Sequence, residues 1–456
     1  MARSAVPCVV VALALAVAGC GSGGSATPKP GWGTAQLVGG GTDADREAVN
    51  GLAPQLAMNA SGSAFVVWRQ QTAASSFIWV TRYDPSRGWS VPETVGSGSD
   101  PVLVVDAAGD ALLVWAAAAE PPRSVQWRRF TPASGWSPAA PVPKASDAAA
   151  WFSLAMTPAG DALLVWTSTA DVWASAFSAA GVWGSPTRIG SALGPGTVSA
   201  PQVVLDGSGD AAVVWTDYQT VWPFGVSSLR GTHFVAGSGW RDVQTLAASR
   251  SVYATRLVGD LAGNAAVVST QVSVVSGPPS CSRLTVADGW LDRETIGSTA
   301  PLSITPQLAA GPNGIVVALS VSTAANGATT DLKAMRFAPS TSWSAPVSLA
   351  LGADRTVGGV DLDVGSAGNA LVVWSEFGSA TGGTVLASEF SASLQWGAAT
   401  PLHGSAPALP RCGPDLAYGG GYSPAVQLDA SGRGLAVWAE FDCTRWSIWA
   451  NQFQPR

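Results

Sequence analysis

Three carboxylates occupy the same place in a recurring pattern of the sequence, two residues after a tryptophan. They are Asp217, Glu376 and Glu440. Two carboxyl groups held about 5–10 Å apart can hydrolyse a glycosidic bond, one as general acid and the other as base or nucleophile. Because the same offset recurs in a repeat, the alternative is that these side chains end solvated strands or form hydrogen bonds at a rim. We favour that alternative.

Other catalytic and metal-binding patterns are sparse in the sequence. The two histidines, His233 and His403, have no Ser or Cys motif beside them, and no G-x-S-x-G, H-E-x-x-H or phosphate-binding loop occurs. Turns of the form D-x-x-G, as at 206–209, offer one or two carboxylates each, whereas calcium takes six or more oxygen ligands. We therefore expect no metal, no cofactor and no dedicated hydrolase.

The composition excludes several classes of protein. Of the 456 residues, 47% are hydrophobic and 12% charged, with a net charge of -6, so the chain should fold. A nucleic-acid-binding protein needs a basic stripe, which this mildly acidic chain lacks. Only three of the 24 basic residues are Lys, which disfavours polybasic docking to lipid.

A sequence repeat of about 40–50 residues carries the candidate residues, and this period is typical of propeller blades. One motif is a strand that ends in Val-Val-Trp or a close variant, at Trp68, Trp115, Trp166, Trp215, Trp374 and Trp438, with Ser269 and Ala318 in two degenerate copies. The other is Gly-Trp or a variant, at Trp32, Trp89, Trp136, Trp183, Trp240, Trp290, Trp343 and Trp396.

Each copy predicts four antiparallel strands, a to d, with D-x-x-G turns between a and b. A four-stranded sheet with tryptophan on its faces cannot shield them alone, so the sequence predicts an all-β fold, a single β-propeller of eight four-stranded blades, with seven as the alternative. The chain after the linker begins with a d strand at 31–38 and ends after a c strand at 446–453. We expect the N-terminal strand to complete the last blade and to close the ring.

The repeat resembles those of secreted bacterial β-propeller lipoproteins, which carry D-x-x-G-N-A-x-x-V-W and I-W-A-N-x-[FY]. The matching segments are 365–374, with Gly365 where the pattern has Asp, and 448–453. The resemblance covers 32–453. It implies a fold and a location but no common activity.

The N-terminus is typical of an exported protein. Arg3 precedes a short apolar run at 9–17, and the segment 17–20 (Val-Ala-Gly-Cys) resembles the lipobox of bacterial lipoproteins. The alternative is an ordinary signal peptide. The resemblance implies a signal peptide at 1–19, a lipidated Cys20, a flexible linker at 20–31 and a propeller at 32–456. It also implies an extracytoplasmic protein held in a membrane by its lipid. Gly21, rather than Asp, favours the outer membrane or cell surface.

Variation in loop length predicts which face of the propeller binds a ligand, since function usually resides in loops on a rigid scaffold. The b–c loops and d–a crossovers vary most, at 216–225 and at about 404–422. Candidate ligand-binding residues on that face are Asp217, Tyr218, Trp222, Trp151, Trp446, Arg411, Asp415, Tyr418, Tyr422, Glu376 and Glu440. Trp151, Trp222 and Trp446 lie outside the repeat register, and local packing is the alternative for them.

The cysteines fit the same face. Cys412 falls in the last d–a crossover and Cys443 in the last b–c loop, so an exported protein could oxidise them to a disulfide. Cys281 is then left over, half-buried in the fifth b–c loop.

We expect a monomeric, lipid-anchored recognition or scaffold module that binds a glycan or a protein without catalysis. The alternative is a propeller glycosidase or lyase that acts on polysaccharide.

Overall fold

The computed structural model describes residues 30–40, 53–71, 75–117, 124–143, 145, 151–219, 225–249, 252–271, 280–285, 289–291, 294–295, 307–323, 330–349, 355–378, 383–391, 395–403, 420–443 and 445–455. This part of the chain is all-β, with one 3₁₀ turn at Pro312–Gly314. Within it, no helix is long and apolar enough to cross a membrane. The predicted signal peptide, Cys20 and nearly all of the linker lie outside the described residues.

The strands follow one another along the chain as β1 (Gly31–Trp32), β2 (Gln36–Gly40), β3 (Gln55–Met58), β4 (Ala64–Gln71), β5 (Ser76–Asp84), β6 (Gly88–Trp89), β7 (Glu93–Val105), β8 (Ala111–Ala117), β9 (Val125–Thr131), β10 (Gly135–Trp136), β11 (Ala140–Pro141), β12 (Trp151–Met156), β13 (Ala162–Thr167), β14 (Asp171–Phe177), β15 (Thr187–Ser191), β16 (Gly196–Leu205), β17 (Ala211–Gln219), β18 (Val226–Val235), β19 (Gly239–Trp240), β20 (Gln244–Ser249), β21 (Val252–Gly259), β22 (Ala265–Gln271), β23 (Ser280–Thr285), β24 (Gly289–Trp290), β25 (Glu294–Thr295), β26 (Gln307–Ala310), β27 (Val316–Thr323), β28 (Thr330–Ala338), β29 (Ser342–Trp343), β30 (Val347–Leu349), β31 (Arg355–Val364), β32 (Ala370–Gly378), β33 (Gly383–Phe390), β34 (Thr400–Pro401), β35 (Gly420–Leu428), β36 (Gly434–Phe441) and β37 (Trp446–Gln454).

These strands pair as four-stranded antiparallel units, which we number along the chain. Strands a, b and c are β3, β4 and β5 in unit 1; the second half of β7, β8 and β9 in unit 2; β12, β13 and β14 in unit 3; β16, β17 and β18 in unit 4; β21, β22 and β23 in unit 5; β26, β27 and β28 in unit 6; β31, β32 and β33 in unit 7; and β35, β36 and β37 in unit 8. Strand d is short and often split, in the same order: β6 with the first half of β7, β10 with β11, β15, β19 with β20, β24 with β25, β29 with β30, β34, and β1 with β2.

The N-terminal strand lies where the phase of the repeats predicts it. Strands β1 and β2 pair antiparallel with β37, with Trp32 opposite Phe453 and Leu37 opposite Trp449. Strand d of unit 8 therefore comes from the other end of the described chain, and the two ends of the repeat are joined by backbone hydrogen bonds.

Apolar side chains are buried between units rather than within them. Eight hydrophobic clusters each join two consecutive units, and one of the eight joins unit 8, through Val38 and Ile448, to unit 1, through Trp68. The a strands of consecutive units also contact one another, and β35 contacts β3. Since a β-sheet unit alone would leave both faces in water, each unit depends on its two neighbours.

Three of the repeated tryptophans fit because a glycine faces each of them. A Cβ atom placed on Gly96 of unit 1 would lie 2.7 Å from the Trp115 ring of unit 2, and the same close approach relates Gly39 to Trp68 and Gly190 to Trp215. A β-bulge precedes each glycine and turns an apolar residue, such as Val95, into the core. The indole therefore lies against bare backbone of the preceding unit.

The D-x-x-G turns have a structural role, as the sequence predicts. Gly109 has a φ of +86°, and the carboxylate of Asp106 accepts hydrogen bonds from the N–H groups of Ala108 and Asp110 at 2.9 and 2.8 Å. Asp206 and Asp429 bind their own turns in the same way. These carboxylates therefore form hydrogen bonds within their own turns. Among the described residues, no three His, Cys, Asp or Glu side chains are placed to hold a metal ion.

The indole-on-glycine contact predicts the cost of adding one methyl group. We expect Gly96→Ala to lower the free energy of unfolding by about 1–3 kcal/mol, since overpacking a filled core costs that much. The matched control is Gly184→Ala, where the new Cβ would meet nothing closer than 3.5 Å; we expect a change within about 0.5 kcal/mol there. Urea denaturation of both variants measures the difference, and equal stabilities would contradict tight packing between units.

Candidate functional site

The predicted site residues that the structure describes lie at one end of the units, where strand b leads into c and strand d into the next a. We call this end the rim, and the end with the a–b and c–d turns the turn end. The rim residues stand at strand starts or strand ends: Trp151, Asp217, Tyr218, Glu376, Tyr422, Glu440 and Trp446. Trp222, Arg411, Asp415, Tyr418 and Cys412 lie outside the described residues. The pairing of Cys412 with Cys443 therefore stays a prediction.

Glu440 is the centre of a polar and aromatic cluster between units 7 and 8. Its Oε2 atom lies 2.9 Å from Nδ1 of His403 and 3.3 Å from the indole nitrogen of Trp438. The His403 ring lies against Trp449, with ring centroids 4.2 Å apart. The cluster thus combines a carboxylate, an imidazole and two indoles at the rim.

His403 is the residue of this cluster that the sequence interpretation missed. It follows Leu402, seven residues after the Gly-Trp position of its unit, where units 1, 3 and 8 have the glycines that face a tryptophan. A histidine in that place carries its ring across the interface to Glu440. In the sequence, His403 is therefore marked by a break in the repeat rather than by a catalytic motif.

The geometry suits His403 to proton transfer. The hydrogen bond that the imidazole donates to Glu440 favours the charged ring and raises the pKa of His403 above its ordinary value of 6.5. Its side chain is about one-third exposed. Because Nδ1 is bound to the carboxylate, Nε2 is the nitrogen left for another partner. A histidine oriented by a carboxylate is a general acid or base that needs only a bound substrate within reach.

The other two repeated carboxylates are buried and neutralised. Asp217 is fully buried, accepts a hydrogen bond from the Leu193 N–H at 2.8 Å and lies 3.7 Å from Arg230. Burial raises its pKa. Glu376, also buried, lies 3.5 Å from Arg355. Of the two expected roles, a solvated strand end or hydrogen bonding at the rim, both acids have the second, since each is matched with its own arginine inside the rim.

This charge matching bears on catalysis by paired carboxylates. The three acids belong to units 4, 7 and 8, and each is paired with a different base: Arg230, Arg355 or His403. A glycosidase pair needs two carboxyl groups that act on one bond. The arrangement instead resembles three separate ion pairs at equivalent positions, of which only the His403–Glu440 pair contains a group that titrates near neutral pH.

Among the aromatic side chains whose burial the structure describes, the exposed ones lie at the rim. They are Phe77 of unit 1, Trp151 of unit 3 and Tyr218 of unit 4, with 39%, 56% and 39% of their surface exposed. All three stand at the start of strand c or a, or at the end of strand b. Exposed rings of this kind suit a ligand with an apolar face.

The rings of Trp446 and Tyr422 are less accessible to a ligand. Their ring centroids lie 5.3 Å apart, and Phe441 stacks on Trp446 at 4.9 Å while Phe377 packs on Tyr422 at 5.0 Å. Both side chains are half-buried. Local packing is therefore the role that the structure gives to Trp446, one of the three off-register tryptophans.

Cys281 differs from its predicted setting. It lies in strand β23, where it is 1% exposed and packed between units 5 and 6, rather than half-buried in a loop. Burial raises the pKa of its thiol to about 12. A thiol that stays protonated and enclosed is a packing residue.

Comparisons with known proteins add no family. No protein-family model matches the sequence, and no curated protein matches it. The fold is similar to a solved polysaccharide lyase of family PL25, an ulvan lyase (10% identity, 76% of this chain and 91% of the other, TM-score 0.48). It is also similar to a protein of unknown function from Dyadobacter fermentans (12% identity, 92% of this chain and 99% of the other, TM-score 0.44). A third similar structure is an intramolecular trans-sialidase from Ruminococcus gnavus (11% identity, 91% of this chain and 96% of the other, TM-score 0.37). Because these TM-scores are below 0.5, we infer function from this chain's own geometry.

The two histidines make the His403–Glu440 pair directly measurable. We expect one histidine NMR signal to titrate above pH 6.5, from His403, and the other below it, because burial and Arg241 lower the pKa of His233. Glu440→Gln should lower the upper value only, whereas the control Glu376→Gln should move neither.

The same pair predicts a pH dependence of stability. The pKa of His403 is raised in the folded protein. The contribution of the ion pair to the free energy of unfolding is therefore fully present below pH 6.5, and it is lost as the pH rises through the pKa of the folded state. The difference in melting temperature between the native chain and Glu440→Gln should shrink over that range. Two histidines that titrate together at the ordinary value would show that the pair does not form.

Proposed function

We propose that the chain is an eight-bladed β-propeller, exported and anchored by lipid at Cys20, that binds carbohydrate at its rim. The ring is supported by the eight clusters between consecutive units, by the contact of β35 with β3, and by the pairing of β1 and β2 with β37. The anchor is supported by the lipobox at 17–20 and the linker after it.

The observation that carries the binding proposal is the placement of the exposed rings. Phe77, Trp151 and Tyr218 lie at the rim of different units, while the other large aromatic side chains whose burial the structure describes are at least half-buried. Sugar rings have apolar faces that stack on indole and phenol rings, and their hydroxyls bind polar groups around them. A rim of rings held on a rigid ring of sheets is suited to an extended chain of sugars.

Removal of two of these rings tests the proposal. We expect the double variant Trp151→Ala, Tyr218→Ala to weaken binding of a polysaccharide identified on a glycan array by about tenfold or more, since two stacked rings contribute roughly 1–3 kcal/mol. Leu261→Ala is the matched control, because it removes an apolar side chain that is 66% exposed at the turn end of unit 5. An equal loss in both variants, or none in either, would contradict binding at the rim.

A second candidate function, cleavage of the bound polysaccharide, is favoured by the His403–Glu440 pair. A lyase needs a base that removes a proton beside a carboxylate, and a hydrolase needs a base that activates water. His403, oriented by Glu440, is the residue able to do either. Product analysis with polysaccharides that bind should then show cleavage that His403→Ala abolishes while binding persists. Binding without products would leave recognition alone.

The anchor has its own test. We expect Cys20→Ser to move the protein from the membrane fraction to the soluble extracytoplasmic fraction, since the diacylated cysteine is the proposed attachment point. An unchanged distribution, or an unprocessed chain of the same mass in both forms, would contradict lipidation.

The proposed Cys412–Cys443 disulfide is tested in the same preparation by a non-reducing peptide map, which should contain the linked pair.

A further inference from the structure

We propose that the cavity between units 6 and 7 is a second carbohydrate subsite, selective for a sugar that carries a carboxylate. This cavity of about 740 Å³ lies between the c and d strands of the two units, towards the turn end. Its lining includes Arg336, Ser348 and Ser388, with Phe390, Gln395 and Trp396 on the side of unit 7. It is separate from the rim, so the two sites can fail or succeed independently.

The interface that holds this cavity differs from most others in how its a–b turns are joined. At six interfaces the a–b turns of consecutive units are joined by hydrogen bonds of 3.0–3.2 Å: Asn59 to Asp106, Ala107 to Pro158, Gly207 to Leu261, Gly314 to Asp260, Ser366 to Ala430, and Ala430 to Ala60. Between the described turns of units 3 and 4, and of units 6 and 7, no such bond forms. Cavities of about 740 Å³ and 590 Å³ lie at these two interfaces.

Arg336 is the cation that gives the cavity its charge preference. The residue before the strand-c aromatic is also arginine in unit 2, where Arg129 pairs with Asp110 at 2.6 Å. In unit 5 the equivalent Arg283 pairs with Glu294 at 2.5 Å. In unit 6 the positions of those two acids hold Ile315 and Val347.

Among the described residues, no acid therefore forms an ion pair with the guanidinium of Arg336. Its Nε is buried without a hydrogen-bond partner, and none of the described residues that line the cavity is Asp or Glu. A buried donor that lacks a partner carries a free-energy penalty that a bound anion would relieve. The planar fork of guanidinium matches a carboxylate with two parallel hydrogen bonds.

The remaining lining fits a sugar ring. Phe390 and Trp396 supply aromatic surface, and Gln395 supplies an amide group for ring hydroxyls. The hydroxyls of Ser348 and Ser388 donate to Asp331 and to the Gly397 carbonyl, so each is left as an acceptor. The volume lies within the range of about 300–1,000 Å³ that small ligands occupy. A uronic acid combines the apolar ring face, the hydroxyls and the carboxylate that these groups would bind.

The second cavity, of about 590 Å³ between units 3 and 4, provides an internal comparison. It has aromatic walls from Trp183 and Trp240, but Ala176 stands where Arg336 stands in unit 6, and Asp161 lies in its lining. That cavity has the shape without the cation. The charge complementarity to an acidic sugar is thus specific to units 6 and 7.

The experiment is calorimetric titration of the full chain with a tetrasaccharide of galacturonic acid and with its methyl ester, which has the same rings without the charges. We expect the acid to bind at least about tenfold more tightly than the ester, and the difference to shrink at high salt. Arg336→Ala should remove the preference for the acid.

Three further variants separate charge from folding. Val347→Glu, at a residue 46% exposed, restores the acid that pairs with the equivalent arginine in unit 5 and should also weaken acid binding at least about tenfold. Arg129→Ala, at the neutralised equivalent of Arg336, and Trp151→Ala, at the rim, should leave the preference for the acid unchanged. Equal affinity for acid and ester, or a preference that survives both Arg336→Ala and Val347→Glu, would overturn the proposal.

Discussion

The structure depends on the need of every four-stranded unit to cover two apolar faces. Trp68, Trp115 and Trp215 each fill the space above a glycine of the preceding unit, and the apolar residues of the bulges complete the same interface. No unit can end the series without leaving one such face in water. The pairing of β1 and β2 with β37 and the cluster between units 8 and 1 meet that need at the point where an open series would fail.

This constraint also determines where function can reside. Positions between units are occupied by packing, so variation is tolerated at the rim, at the turn end, and where the repeat is broken. The His403–Glu440 pair arises at one such break, since a histidine stands where three other units have a glycine. The cavity beside Arg336 arises at another, where the hydrogen bonds between turns and the acidic partners of the arginine are both missing.

The repeat made the strands, the turns and the place of the N-terminal strand predictable, because a period of tryptophans and D-x-x-G turns has few physical interpretations. The side chains that cross between units were not predictable in the same way. The burial of Asp217 with Arg230 and the approach of His403 to Glu440 depend on which residues of two distant repeats meet at one interface. Cys281 was misplaced for the same reason, since the fifth repeat is degenerate and its strand c was assigned to a loop.

The most direct test of ring closure is hydrogen exchange on the intact chain and on a chain that begins at residue 41. In the intact chain we expect the amides of 36–40 to exchange as slowly as those of 446–454, because the two segments share backbone hydrogen bonds. In the shortened chain, protection of 446–454 should fall sharply, with a lower melting temperature. Exchange of 36–40 at the rate of an unstructured chain, together with unchanged protection of 446–454 after truncation, would contradict a ring closed by its first strand.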